Sequence, residues 1–188
     1  ILAIAIAYSF TTKAAIVSTA QDAKAIVLED LKSDSLFSAA GLYSVYSIEY
    51  LNSSAQWEVK TKITLNPHSS CPQVYLRDYK LLPISPSLTK QVVKDCTANT
   101  PLALPEEAII ASNAFAQVKA LASPQACGYS LPLNPQEAME YCPFANYAQL
   151  KQFADSLQPN ARFITEWRSN QTTLRIALDE NANVLSVQ

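Results

Sequence analysis

His68 is the sole histidine of the 188-residue chain. Any Ser–His or Cys–His nucleophile would have to use it, with an acid to orient the ring. It stands in the loop Pro67-His68-Ser69-Ser70-Cys71-Pro72. No acid is spaced to serve it, so it reads as a solvent-facing loop histidine beside a bridged cysteine. The carboxylates come as adjacent pairs, Glu29-Asp30, Glu106-Glu107 and Asp179-Glu180. Neighbouring residues point to different sides of a helix, so these pairs do not converge on a substrate. They suit a helix's first turn or the solvation of a turn. No acidic run has calcium-loop spacing. Cys71, Cys96, Cys127 and Cys142 contain no CxxC pair, and a zinc site would have to gather them from distant segments. With two glycines in the chain, Gly-rich phosphate loops are excluded. The net charge of -2 leaves no basic excess for a phosphate backbone, so no nucleic-acid partner is expected. The reading is therefore of a protein that is not an enzyme, with no catalytic residue, no cofactor and no metal site.

The cysteines have a different use. Four of them, with no metal spacing, fit a disulfide framework in an oxidising compartment. Three pairings are open. The sequential one, Cys71–Cys96 with Cys127–Cys142, is favoured because each pair brackets a Pro-rich irregular segment. Asn52-Ser53-Ser54 and Asn170-Gln171-Thr172 are N-glycosylation acceptor sequences, and Asn52 and Asn170 would carry the glycan. Cysteines and acceptors together place the chain at the cell surface or outside the cell. Tyr43, Tyr46, Tyr50, Tyr75 and Tyr79 crowd the first half. They are either a sheet face covered by other parts of the chain or a binding surface.

The elements that would position these residues follow from periodicity. The chain is 49% hydrophobic and 16% charged, apolar enough for a packed core and low in charge for a soluble protein. Its first ten residues, Ile1 to Phe10, are apolar apart from Ser9. From Ile16 the positions Val17, Ala20, Ala23, Ile26, Val27 and Leu31 recur at three and four residues, so 1–39 reads as one long helix, apolar at first and then amphipathic. Leu2, Ile4, Ile6, Tyr8 and Phe10 also alternate with small residues, the pattern of a strand that a neighbour could receive. The alanines favour the helix. Alternation predicts strands over 43–51, 56–65 and 74–82, the first two as a hairpin. Residues 83–104 read as a long connection. A second helix is expected over 105–122, an irregular segment with one helical turn over 123–143, and a third helix over 144–157. Strands at 163–167, 173–178 and 184–187 close the chain. The expected class is α+β: a long protruding N-terminal α-helix, then an antiparallel-sheet globular head with two further helices. Three regions result: the helix (1–39), a β-rich first half of the head (40–104) and a helix-plus-hairpin second half (105–188).

Two resemblances bear on function. Glu106-Glu107-Ala108 with Ala111 and Ala114, then Glu166-Trp167, Leu174 to Asp179 and Asn183-Val184-Leu185, resemble the PepSY-type module of extracytoplasmic proteins. That family packs one helix on a short antiparallel sheet. The segment 123–158 and Asn183, where the family has glycine, depart from it. The apolar start resembles the exposed helix of processed type IV pilin-like proteins, notably archaeal ones, in which a short basic leader is removed and the helices bundle into a filament core. Such processing would leave a chain that is apolar from its first residue. The pilin resemblance implies a filament subunit that polymerises with identical copies through Ile1, Leu2, Ile4, Ile6, Tyr8, Phe10, Ile16 and Val17, with membrane contact before assembly. The alternative is a single-pass anchored binding or inhibitory module of the PepSY-like kind.

Overall fold

The computed structural model describes residues 17–35, 37–38, 41–81, 84–170 and 172–188. The proposed assembly residues Ile1 to Ile16 lie outside them. The described chain is built on two four-stranded antiparallel sheets with short helices, which overturns the expected α+β form with a long protruding helix.

The first helix, α1, is Ala20–Ser33. Its periodicity is as read: Ala23, Val27 and Leu31 are fully buried on one face. Its length is not. Thr19 is an N-cap in extended conformation, and its hydroxyl accepts from the Asp22 amide at 3.1 Å. Asp22 accepts from the Thr19 amide at 3.0 Å. This capping box starts the helix at that point, because an N-cap backbone cannot continue a helix arriving from upstream. Hydrogen bonds from Thr19 and Ser18 hold the Asp22 carboxyl below its usual range. Asp34, again extended, ends α1.

Sheet A is a meander of β1 (Gly41–Leu51), β2 (Gln56–Leu65), β3 (Gln73–Leu81) and β4 (Ser85–Val93), in that order. One face packs on α1 through Val59, Ile63, Tyr79 and Leu81. Three polar bonds pin the helix there. Tyr79 donates to Asp30 at 2.8 Å, Arg77 donates to Asp34 at 3.0 Å, and the Trp57 indole donates to the Val17 carbonyl at 3.2 Å. Arg77 also lies 4.8 Å above the Phe37 ring. A bulge between Val45 and Ser47 shifts the alternation of β1, so that Tyr43, Val45 and Ile48 all pack toward α1, while Tyr46 lies on the face away from it, 55% exposed.

Burial is the first cause pushing the Tyr79 phenol up to about 12. The folded chain thus keeps a proton where the unfolded chain has lost it. This contribution to stability is complete below about pH 10 and fades as pH rises toward 12. The melting temperature is expected to fall over that interval, and Tyr79→Phe to flatten part of the fall. An alkaline limb unchanged in the variant would remove Tyr79 as a cause.

Sheet B has the order β5 (Gln125–Ser130), β6 (Phe163–Ser169), β7 (Thr172–Leu178) and β8 (Val184–Val187). Its Ala126, Phe163, Trp167, Ile176 and Leu178 meet α2 (Pro105–Ser112) and Val118 of α3 (Ala116–Lys119). Cys127, Tyr129, Ile164 and Ala177 form the other face and meet α4 (Pro135–Tyr141) and α5 (Tyr147–Asp155). The far side of α2 reaches sheet A, where Ile110 packs on Val74 and Val93. The layers therefore run α1, sheet A, α2, sheet B, then α4 with α5. The helix expected over 105–122 is broken into α2 and α3. The 83–104 connection contains β4, and the 123–143 segment contains β5. The disulfides are Cys71–Cys96 and Cys127–Cys142.

Candidate functional site

A cleft of about 380 Å³ lies where sheet A, the start of α2, strand β5 and α4 come together. Sheet A supplies its α1-distal face, including Leu42, Ser44, Tyr46, Lys62, Thr64 and Leu76. Strand alternation explains this set. Along β2, Trp57, Val59, Ile63 and Leu65 turn to α1, and the intervening Lys62 and Thr64 turn the other way. The opposite wall is Leu104, Pro105, Glu106 and Ile109 at the start of α2. Gly128 and Tyr129 of β5 close one end, with Leu133, Ala138 and Tyr141 beside them. The β5 strand passes so close to α2 that a Cβ on Gly128 would lie 2.4 Å from the Pro105 carbonyl oxygen. Only glycine fits there.

The two carboxylates that open α2 have separate roles. Glu107 turns back and accepts from the backbone amides of Ala103 at 2.7 Å and Leu104 at 3.0 Å, which caps the helix. Glu106 instead faces sheet A. Its Oε1 accepts from Lys62 Nζ at 2.8 Å and from Thr64 Oγ1 at 3.1 Å. Glu106 is 8% exposed, and its Oε2 has no hydrogen-bond partner. Tyr129 is 6% exposed, and its hydroxyl has none either. Burial first, and then the negative charge of Glu166, drive the Tyr129 ionisation far upward. The phenol therefore remains a neutral hydroxyl that can both donate and accept.

The residues singled out from sequence fall in several places. His68 lines the cleft but faces no nucleophile. Its Nδ1 is 3.6 Å from Cys127 Sγ, its ring meets Phe144 edge-on, and its carbonyl accepts from the Ala126 amide at 2.9 Å. All four cysteines are consumed in disulfides. Ser69 receives the Cys71 amide. Asp179 organises its turn, accepting from the Asn181 and Asn183 amides at 2.8 Å each, and bonds from Asn183 hold its carboxyl below the usual range. Asp30 serves the α1 anchor. The five tyrosines divide: Tyr43, Tyr75 and Tyr79 pack on the α1 side, Tyr46 lines the cleft, and Tyr50 is 47% exposed against Trp57. Val17 packs at the edge of its own chain's α1 core. Asn52 and Asn170 are exposed in turns. Among the described residues no group of three His, Cys, Asp or Glu stands close enough for a metal ion. Sequence reasoning missed the pairing of Lys62 with Glu106 in this cleft. Its one available sign was the polar side of β2.

No family model, curated protein or solved structure matches this chain. The fold and its two disulfides define a non-cytoplasmic, secreted or surface protein of two four-stranded sheets with a cleft between them. Among the described residues no helix is long and apolar enough to cross a membrane.

Proposed function

We propose that the protein is a non-catalytic binding module of the cell surface or extracellular space, and that this cleft takes its ligand. The observation that carries the reading is the cleft itself, with Leu42, Leu76, Leu104, Ile109 and Leu133 around the Lys62–Glu106 ion pair. The cleft volume lies within the range of small-molecule sites, and its apolar lining with few polar groups is their usual composition. The PepSY-type resemblance of 105–188 agrees with a binding role, and Asn52 and Asn170 would be its glycan acceptors.

The test is titration with the neutral apolar fluorophore N-phenyl-1-naphthylamine. Saturable one-site binding is expected, with at least a tenfold loss in Ser44→Trp, which fills the cleft from the sheet A wall. Unsaturable binding, or binding indifferent to Ser44→Trp, would overturn the reading. A second reading keeps the protein as a filament subunit that joins identical copies through its apolar start. It is favoured by the uncharged sequence from Ile1 to Thr12. Sedimentable polymers of the full chain that vanish when the chain begins at Val17 would support it.

A further inference from the structure

We infer that the cleft receives a β-strand from a second copy of this chain: the alternating run Leu2 to Phe10 of one molecule pairs with the free edge of β5 in the next. The inference rests on the cleft's being a ligand site, and it names the ligand. Its first ground is the edge. β5 is an outermost strand of sheet B. The hydrogen bonds fix which of its residues look outward. Arg175 and Gln188 bond each other's backbones from β7 toward β8 at 2.9 Å. Alternation along the regular registers of β7, β6 and β5 then gives Cys127 and Tyr129 to β6 and turns Ala126, Gly128 and Ser130 away from it. The Ala126 amide accordingly donates to the His68 carbonyl at 2.9 Å. Gly128 and Ser130 come next along that edge and both line the cleft. Among the described residues their backbone groups meet no partner there. An unpaired strand edge is a template for a further strand.

The walls agree with a strand in that place. Leu104, Pro105 and Ile109 stand on the α2 side of sheet B, and Leu133, Ala138 and Tyr141 stand on its α4 side. One cleft reaches both sides of a sheet only past its edge. A strand continuing sheet B there has apolar walls on both faces, so both of its side-chain sets should be apolar. Lys62 and Glu106 neutralise each other across 2.8 Å, so the strand should also be uncharged. Leu2 to Phe10 alternates large apolar residues with alanine and serine, and it carries no charged side chain. This run seats in a neighbour because its own chain leads elsewhere. The Trp57 indole holds the Val17 carbonyl at the far end of β2, on the α1 side of sheet A. Thr64, in the cleft, lies seven residues further along that strand, about 23 Å away. Residues 11–16 span about 20 Å at most, and sheet A would still have to be rounded.

The experiment is sedimentation velocity of the full chain and its variants. Ile6→Asp puts a charge into the donated run and leaves the cleft intact. Ser130→Pro removes an outward N–H that the sheet does not use, and leaves the run intact. The wild type is expected to form assemblies, and each variant alone to sediment as a monomer. Mixed, the two variants should form a dimer and nothing larger, because one intact run then meets one intact edge. Ser44→Trp, which fills the cleft from sheet A, should take the place of Ser130→Pro in that mixture with the same result, so the test does not depend on how the fold tolerates the proline. Naphthylamine should bind Ile6→Asp at least tenfold more tightly than the wild type, whose clefts are filled. A monomeric wild type would overturn the inference. So would assemblies that persist in Ser130→Pro and Ser44→Trp, or cleft and run variants that fail to complement. If the inference fails in any of these ways while Ile6→Asp still binds naphthylamine saturably and Ser44→Trp abolishes that binding, the strand assignment falls and the ligand site stands. If the naphthylamine fails as well, the site itself is refuted.

Discussion

Arg175→Met is expected to cost about 3–5 kcal/mol of folding stability, the usual penalty for removing one partner of a buried ion pair. Arg175 Nε donates to Glu166 Oε2 at 2.7 Å, and the two side chains are 7% and 1% exposed. They are directly cross-strand partners in β6 and β7, on the face that α5 covers. Arg175 also donates to Gln149 of α5 at 3.2 Å, so it ties sheet to helix. Methionine fills much of the same volume but leaves the Glu166 carboxylate buried without its cation, and that orphaned charge is where the cost arises. Glu166→Leu combined with Arg175→Met should therefore recover most of the loss, because a matched apolar pair owes no desolvation. Urea unfolding of the four proteins in the cycle would measure it, with a shifted midpoint at constant slope. A single variant that loses less than about 1 kcal/mol, in the range of an exposed pair, would show that water reaches this pair.

The same pair shows what sequence reading can and cannot reach. The β6 and β7 strands were legible as a hairpin because Phe163 to Trp167 and Thr173 to Leu178 alternate around a polar turn. That Glu166 and Arg175 face each other follows only from the register, which one residue of slip would reverse. The β2 strand was legible for the same reason as its neighbours. The β4 strand was not: it is an edge strand, polar and proline-containing, and edges are where sheets tolerate such residues. The β5 strand hid between Pro124 and Pro132, with a cysteine and a glycine in its middle. The start of α1 was written in the sequence as Thr19-Ala20-Gln21-Asp22. A strong apolar period on both sides outweighed that box, yet a cap acts on backbone geometry and decides where a helix begins whatever the period beyond it. The site was the least legible part. Lys62 and Glu106 are 44 residues apart. The role of Glu106 as a cleft wall, rather than a first-turn charge like Glu107, depends on sheet A lying against α2. No local pattern encodes that contact.

Trp167→Ala should be as damaging, at about 3–5 kcal/mol for an aromatic removed from a core, and it should reach the cleft as well. Trp167 is fully buried in the cluster that joins α2 to sheet B, and its indole donates to Ser112 Oγ at 3.0 Å. Ser112 retains its own bond to the Ile109 carbonyl at 3.0 Å, so the expected loss is a cavity rather than an orphaned donor. The cavity opens beneath α2, the helix that supplies Pro105, Glu106 and Ile109 to the ligand walls. Leu31→Ala provides the contrast. Leu31 is equally buried, in the α1 core on the opposite face of sheet A, and its loss should cost about 2–5 kcal/mol. Under conditions where both variants remain folded, naphthylamine affinity should fall in Trp167→Ala and hold in Leu31→Ala. That split is not a stability effect, because both variants are destabilised. It would locate the cleft's rigidity in the packing of α2 against sheet B. Equal losses of affinity in the two variants would mean that the cleft responds to global stability, and α2 would then have no special part in holding it open.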